Sequence, residues 1–226
     1  MKKAILYSAH GKKYIEESFK SAEYAKKFIT NETLILHTSN TSSHKELNQS
    51  PFDIIIKEEM DDIFLNKIYA FRIQSMINAC KNLDFDQFLY LDTDACVMRS
   101  EGLEIFDLLD QYDIAVSHAP VRHAFFYSQK YQQIYDHPNT LQPSIPMCFP
   151  EFNTGVILFN KKCLSLFEKW QQLYLSDIIK HPNDQGSFRF AMYFSQLMTA
   201  TLTPEYNDRS GQIKNCYIYH GPRSVG

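Results

Sequence analysis

The stretch Phe88-Leu89-Tyr90-Leu91-Asp92-Thr93-Asp94 decides the fold, because an apolar run meets two carboxylates there. Four consecutive apolar residues predict a strand that is buried on both faces of a sheet. Side chains at i and i+2 of an extended chain share a face, so Asp92 and Asp94 are expected to converge beyond the strand end. Two hard oxygen donors in this position suit Mg²⁺ or Mn²⁺ shared with substrate phosphates. The alternative is an Asp-rich turn, but ligand crevices of α/β sheets lie beyond the carboxyl ends of strands.

On either side of this stretch, β-rich runs alternate with amphipathic segments. The apolar runs predict strands at 3–7, 33–37, 52–56, 113–117, 154–159, 200–203 and 216–219. Helical spacing of apolar residues predicts helices at 14–29, 67–81, 101–109, 162–180 and from 182–184 to about 194. This alternation predicts an α/β fold around a mostly parallel sheet. Since no linker divides the chain, we expect a single domain over residues 1–226.

The segment 119–150 departs from the alternation. Between residues 120 and 150 lie five of the nine prolines, together with Phe125, Phe126, Tyr127, Tyr131 and Tyr135. A connection of this length inside a compact domain is usually a functional loop or lid. We therefore expect this segment to carry the variable recognition surface.

Composition excludes several classes of protein. Only 7 of the 226 residues are glycine, and they form neither a P-loop nor a G-x-G-x-x-G dinucleotide fingerprint. The net charge of −3 gives no broad basic footprint for nucleic acid. The apolar runs are far shorter than the roughly 20 residues that span a bilayer, and no secretory signal opens the chain. We expect a cytoplasmic protein without a nucleic-acid partner, and peripheral association with a membrane stays open.

A second cluster of chemically active residues follows the run Cys216-Tyr217-Ile218-Tyr219. The next residues are His220-Gly221-Pro222-Arg223. An imidazole here is a natural third ligand for Mn²⁺, and Arg223 could form a bidentate pair with phosphate. The alternative is a terminal strand that carries a histidine with no role in binding.

Taken together, four short motifs resemble those of the GT-A glycosyltransferases. In chain order they are Asp92-Thr93-Asp94, Phe152-Asn153-Thr154-Gly155-Val156, Asn183-Asp184-Gln185 and His220-Gly221. Their order and spacing are most similar to the retaining family 8 type, which includes glycogenin and lipopolysaccharide galactosyltransferases. The resemblance implies a GT-A fold and transfer of a hexose from a nucleoside-diphosphate sugar, most often a UDP-sugar, with Mn²⁺ or Mg²⁺ as cofactor. The acceptor would be a hydroxyl of a glycan, a lipid-linked molecule or a protein, and the segment 119–150 would select it.

The same resemblance assigns roles to individual residues. It implies that Asp92 binds the donor ribose and the ion, that Asp94 and His220 ligate the ion, that Asp184 binds hydroxyls of the donor sugar, and that Gln185 lies beneath its anomeric carbon. The other implied donor-site residues are Ser8, Ala9, His10 and Tyr14 near the nucleobase and ribose, either Arg72 or Lys67 as a basic group, Asn153, Thr154 and Gly155 along the pocket, and Gly221 and Arg223 after the metal histidine. Family members usually have Lys-Pro-Trp after that histidine, and Arg223 would replace the lysine here.

Simpler roles remain open for several of these residues. Asp184 could cap a helix, Arg72 could lie on a solvated helix face, and Gly155 could serve backbone conformation alone. Two other functions also remain open: a sugar-nucleotide binding protein without activity, and a haloacid-dehalogenase-like phosphatase that uses Asp92 and Asp94. That phosphatase family places its carboxylates on the first strand, which corresponds here to Lys3–Tyr7 and contains no aspartate.

Overall fold

A computed structural model describes residues 1–40, 47, 50–119, 145–146, 148–176 and 184–221. Within this part of the chain the main sheet has seven strands in the order β3-β2-β1-β4-β7-β6-β8. The strands are β1 (Lys3–Ala9), β2 (Glu32–Ser39), β3 (Ile54–Glu58), β4 (Gln87–Leu91), β6 (Ile114–His118), β7 (Phe152–Asn160) and β8 (Thr199–Thr201). Only β7 runs antiparallel to its neighbours, β4 and β6. The predicted α/β class with a mostly parallel sheet is therefore confirmed.

Helices cover both faces of this sheet. They are α1 (Lys12–Ala25), α2 (Asp62–Asn66), α3 (Ile68–Asn82), α4 (Leu164–Leu175) and α5 (Gln185–Tyr193), with 3-10 helices at Ser100–Asp110, Lys161–Cys163 and Pro204–Tyr206. None of the helices in the described ranges is both long and apolar enough to cross a membrane.

The core consists of two layers separated by the sheet, and β4 shows why. Every residue of β4 is buried. Phe88 and Tyr90 pack into the layer beneath α3, α4 and α5, whereas Leu89 and Leu91 pack into the opposite layer with α1 and the 3-10 helix Ser100–Asp110. Burying each such side chain stabilises the fold by about 1.5–3 kcal/mol. The apolar run before Asp92 is thus continuous because both of its faces are covered.

A second, two-stranded sheet pairs β5 (Ala95–Val97) with β9 (Ile218–His220) in antiparallel register. The sequence predicts a last strand at 216–219 but no strand at 95–97. In this register His220 lies opposite Ala95, and the backbone N–H of Gly221 donates to the carbonyl of Asp94 at 3.2 Å. The small sheet therefore brings the end of the chain beside the D-x-D motif.

Some boundaries differ from those predicted. The strand expected at 52–56 starts at Ile54, because the ring of Phe52 packs against Tyr7 before the strand begins and Asp53 accepts a hydrogen bond from the N–H of Leu34. The helix expected at 162–180 starts at 164, after a 3-10 turn, and its last predicted residues lie outside the described part. Most of the segment 119–150 also lies outside it, so the single domain over 1–226 stays a prediction.

Candidate functional site

A cleft of about 860 Å³ opens at the edge of the sheet where β1 and β4 end. Because β7 is antiparallel to β4, its first residues lie at this same edge, and the N–H of Asp92 donates to the carbonyl of Gly155 at 2.8 Å. The topology therefore brings together side chains that are distant in sequence. The predicted site residues that line the cleft are Ser8, His10, Tyr14, Arg72, Asp92, Asp94, Asn153, Thr154, Asp184, Gln185 and His220.

Asp92, Asp94 and His220 form a compact cluster in this cleft. One potential ligand atom from each residue lies within 4.8 Å of the other two. The Nε2 atom of His220 is 3.6 Å from Oδ2 of Asp92 and 3.5 Å from Oδ1 of Asp94. Ligands about 2.1 Å from an octahedral ion lie roughly 3 Å apart, so small movements would let the three atoms share one divalent cation. The donor set, two carboxylates and an imidazole, suits Mn²⁺ or Mg²⁺.

Gly155 provides the space that this cluster occupies. A Cβ atom at this position would lie 2.0 Å from Cε1 and 2.5 Å from Nε2 of His220, and 2.8 Å from Oδ2 of Asp92. Its φ angle is not in the left-handed region, which among the described glycines only Gly11 and Gly211 adopt. The glycine is therefore explained by the close approach of the imidazole, and the alternative of a purely conformational role is wrong.

A chain of amide hydrogen bonds sets the tautomer of His220. The backbone N–H of Gly155 donates to Oδ1 of Asn153 at 3.0 Å, and the Nδ2 amide of Asn207 donates to the same oxygen at 3.0 Å. Oδ1 of Asn207 consequently faces Nδ1 of His220 at 2.8 Å, so Nδ1 carries the proton and donates. In the neutral imidazole this leaves the lone pair on Nε2, the atom that faces the two carboxylates. Such an outer hydrogen bond orients a metal-binding histidine and sets its tautomer.

Arg72 joins two carboxylates in the floor of the cleft. Its Nη1 atom donates to Asp92 at 2.9 Å, and its Nε atom donates to Oδ2 of Asp184 at 2.7 Å. Nη2 also donates to Asp184 and, at 2.5 Å, to the hydroxyl of Thr154. Only 8% of the Arg72 surface is exposed, so the alternative of a solvated helix face is wrong.

Burial and charge act in opposite directions on the two carboxylates. Burial alone would raise the pKa of Asp92, but Arg72, His220 and a hydrogen bond from Tyr90 together hold that pKa well below its usual range. Burial raises the pKa of Asp184, and the charge of Arg72 opposes the rise. Asp92 is thereby kept ionised, which is the form in which a carboxylate can bind a metal ion.

Asp184 immediately precedes α5, and the sequence left open that its side chain caps this helix instead of binding a sugar. Its side chain makes no capping hydrogen bond. Instead its carbonyl oxygen accepts from the indole N–H of Trp170 at 3.0 Å and from the hydroxyl of Ser187 at 2.8 Å. These backbone contacts hold residue 184 against the core, while its carboxylate points towards Arg72.

The remaining predicted residues are Ala9, Lys67, Gly221 and Arg223. Ala9 is buried and does not line the cleft. Lys67, the alternative to Arg72, directs its amino group to the carbonyls of Tyr174 and Leu175 at 3.2 and 3.1 Å. Gly221 contributes a backbone contact to Asp94, and Arg223 lies outside the described residues.

Sequence reasoning missed three residues that shape the site. Asn207 orients His220, and Tyr90 donates to Oδ1 of Asp92 at 3.0 Å. The ring of Tyr69 lies 4.8 Å from the guanidinium of Arg72 and lines the cleft. Tyr90 was identifiable, because it lies two residues before Asp92 on the same face of β4.

Glu151 is a buried acid that sequence reasoning also missed, and it does not line the cleft. It precedes β7 and is completely buried, and neither carboxyl oxygen has a hydrogen-bond partner in the described ranges. Burial raises the pKa of Glu151 to about 7, against the opposing charge of Arg189. A neutral carboxyl is therefore the form that this environment favours.

Comparisons with known proteins identify the fold. No family model matches the chain, and no curated protein matches it. Among solved structures, the galactosyltransferase LgtC in complex with donor and acceptor sugar analogs has a TM-score of 0.67 at 14% identity, over 98% of this chain and 87% of that one. Mouse xyloside xylosyltransferase 1 has a TM-score of 0.57 at 16% identity, over 100% of this chain and 99% of that one.

A third similar structure is the glycosyltransferase GlyE of Streptococcus pneumoniae TIGR4, with a TM-score of 0.63 at 16% identity. The match covers 99% of this chain but only 55% of GlyE, so the chain spans about half the length of that protein. The architecture shared with these structures is the GT-A fold. The fold predicted from the four motifs is therefore confirmed.

Proposed function

We propose that the protein is a metal-dependent glycosyltransferase that moves a hexose from a nucleoside-diphosphate sugar to an acceptor hydroxyl. The proposed donor is a UDP-sugar. The observation that carries the proposal is the Asp92, Asp94 and His220 cluster, joined through Arg72 to Asp184 in one cleft. The fold adds support, because the similar LgtC structure contains donor and acceptor sugar analogs.

In this proposal the three clustered residues hold one divalent ion. Such an ion supplies Lewis-acid stabilisation of the negative charge on a departing diphosphate. His220 offers the Nε2 lone pair, and Arg72 keeps Asp92 ionised. Ser8, His10 and Tyr14, which line the cleft beside α1, would contact the nucleobase and ribose.

Asp184 and Gln185 would receive the donor sugar. Arg72 occupies Oδ2 of Asp184, whereas Oδ1 has only a 3.3 Å contact with Thr154 among the described residues and could accept from a sugar hydroxyl. Gln185 begins α5 and lines the cleft. Support for a role of this amide comes from LgtC, which has also been crystallised as an active-site variant with glutamate in place of a glutamine.

The amide of Gln185 is a poor nucleophile, which favours direct transfer with retention over a covalent intermediate. The acceptor oxygen would bond to the anomeric carbon on the face from which the diphosphate leaves. As the bond between that carbon and the diphosphate oxygen breaks, the same oxygen takes the proton of the acceptor hydroxyl. The acceptor is a glycan, a lipid-linked molecule or a protein, chosen by the segment 119–150.

The test is a panel of UDP- and GDP-sugars with Mn²⁺. We expect one donor to raise the melting temperature of the wild type and to be hydrolysed or transferred in a metal-dependent manner. Asp94→Asn should lose both effects, whereas Asp110→Asn, the same change at an exposed position outside the cleft, should keep them. The proposal fails if no sugar nucleotide binds or if Asp94→Asn turns over normally.

The same panel separates the two other functions. Binding without turnover of any donor would indicate a sugar-nucleotide binding protein. A phosphatase would form a phosphoaspartate at Asp92, trapped with a fluoride that mimics phosphate. Against that function, both carboxylate oxygens of Asp92 already accept hydrogen bonds from Arg72.

A further inference from the structure

Arg209 lies where the large cleft meets a smaller one of about 500 Å³, and it lines both. It is exposed, and its guanidinium has no ion pair or hydrogen bond with any residue that the structure describes. An arginine without a carboxylate partner at the edge of a cleft is available to a ligand.

The other cations of the cleft already have partners. Arg72 binds Asp92 and Asp184, and Nζ of Lys13 lies 4.0 Å from Glu17. A divalent ion held by Asp92 and Asp94 would be neutralised by their two charges. Each phosphoryl group of a bound nucleoside diphosphate brings a further negative charge. In the described part of the cleft, Arg209 is the cation left to offset it.

The backbone beneath Arg209 is held firmly beside the metal cluster. The carbonyl of Asp208 accepts from the N–H of His220 at 2.9 Å. The carboxylate of Asp208 accepts from the N–H and the hydroxyl of Ser210 at 2.9 and 2.7 Å, and from the N–H of Gly211 at 3.1 Å. Gly211 closes this turn with a φ angle of 65°, which favours glycine. The side chain of residue 209 is thus presented from a rigid turn adjoining His220.

We propose that Arg209 binds the diphosphate of the donor. The inference rests on the proposed function and adds to it a residue that lies outside the four motifs. A guanidinium pairs with phosphate oxygens in a bidentate manner, which fixes the leaving group as well as its charge. Arg209 would supply, from the turn before β9, the same kind of bidentate contact that the sequence predicts for Arg223, which lies outside the described residues.

The experiment is calorimetric titration of UDP, GDP and uridine into the wild type, Arg209→Gln and Arg209→Lys, each saturated with Mn²⁺. We expect Arg209→Gln to weaken binding of the nucleoside diphosphate at least tenfold and to leave uridine binding and Mn²⁺ binding unchanged. Arg209→Lys should recover part of the loss. Lys214→Gln removes the same charge from an exposed position nearby that lines neither cleft, and should match the wild type.

Two results would overturn the inference. One is unchanged diphosphate affinity in Arg209→Gln; if acceptor-dependent transfer is lost at the same time, Arg209 is assigned to an anionic acceptor. The other is an equal loss of uridine affinity, which would indicate a general disturbance of the cleft. Failure of the proposed function looks different, because the wild type itself would then bind neither UDP nor GDP.

Discussion

Replacing Gly155 with alanine tests the metal cluster most directly. The added Cβ would lie 2.0 Å from Cε1 of His220, whereas carbon atoms in contact prefer about 3.5–4.0 Å. The imidazole would therefore have to move by about 1.5 Å. It has little room to do so, since His220 is 97% buried and its Nδ1 atom is bound to Asn207.

The expected magnitude follows from this displacement. Metal–ligand distances are defined to within about 0.2 Å, so a shift several times larger removes His220 from the ligand set. Losing an outer partner of a metal ligand already costs 10- to 100-fold in affinity, and we expect loss of the ligand itself to cost about 100-fold or more. Overpacking by one methyl group should also destabilise the fold by about 1–3 kcal/mol, or roughly 2–10 °C in melting temperature.

The assay is calorimetric titration of Mn²⁺ in the absence of nucleotide, together with thermal unfolding of the metal-free protein. Gly221→Ala is the matched control, because its Cβ would meet the hydroxyl end of Tyr219 at 3.2 Å and the carbonyl of Arg209 at an ordinary contact distance of 4.0 Å. A double-mutant cycle adds a second test. In a His220→Ala background the nearest clash disappears, so Gly155→Ala should lower the melting temperature less than it does in the wild type.

Two results would refute this reasoning. Unchanged Mn²⁺ affinity in Gly155→Ala would show that His220 is not a ligand or that the glycine does not make room for it. An equal loss of melting temperature in both backgrounds would show that the added methyl group clashes with something other than the imidazole.

The remaining predictions concern the groups around this cluster. Asn207→Ala should weaken Mn²⁺ binding about 10- to 100-fold in the same titration, because the tautomer of His220 is no longer fixed; unchanged affinity would contradict the orienting role. Arg72→Met leaves the buried carboxylate of Asp184 without a counter-ion, so urea unfolding should show a loss of about 3–5 kcal/mol, and Arg72→Lys should lose less. Glu151 has a pKa of about 7 in the folded protein against 4.5 for a free glutamate, so the folded state binds its proton more tightly. Between these two pH values the free energy of unfolding should fall with rising pH by up to about 3 kcal/mol relative to Glu151→Gln, and parallel pH profiles for the two proteins would contradict this.

The position of the site was predictable from local sequence. The run of apolar residues predicts the strand, and Asp92 and Asp94 after it mark where the strand ends. Both signals lie within a few consecutive residues, so they can be read without knowing the rest of the fold. The four motifs then identified the fold, although identity to the similar structures is only 14–16%.

The contacts within the site were not predictable, because they join distant parts of the chain. Arg72 and Asp184 are 112 residues apart, and no periodicity in α3 distinguishes a buried arginine from a solvated one. Asn207 and Gly155 acquire their roles only when β9 pairs with β5 and places His220 between them. That pairing involves three residues on each strand, too few to give a strong pattern at 95–97.

The shared guanidinium of Arg72 links the two halves of the site. Asp92 belongs to the proposed metal cluster and Asp184 to the proposed sugar pocket, yet a single cation offsets both charges in a buried setting. A divalent ion bound at Asp92 would compete with Arg72 for that carboxylate and would strengthen the hold of Arg72 on Asp184. Ion binding and the orientation of the Asp184 carboxylate are therefore expected to be coupled, and by thermodynamic linkage the coupling acts equally in both directions. In the proposed function, a donor that carries both diphosphate and sugar would engage both halves at once, with Arg72 between them.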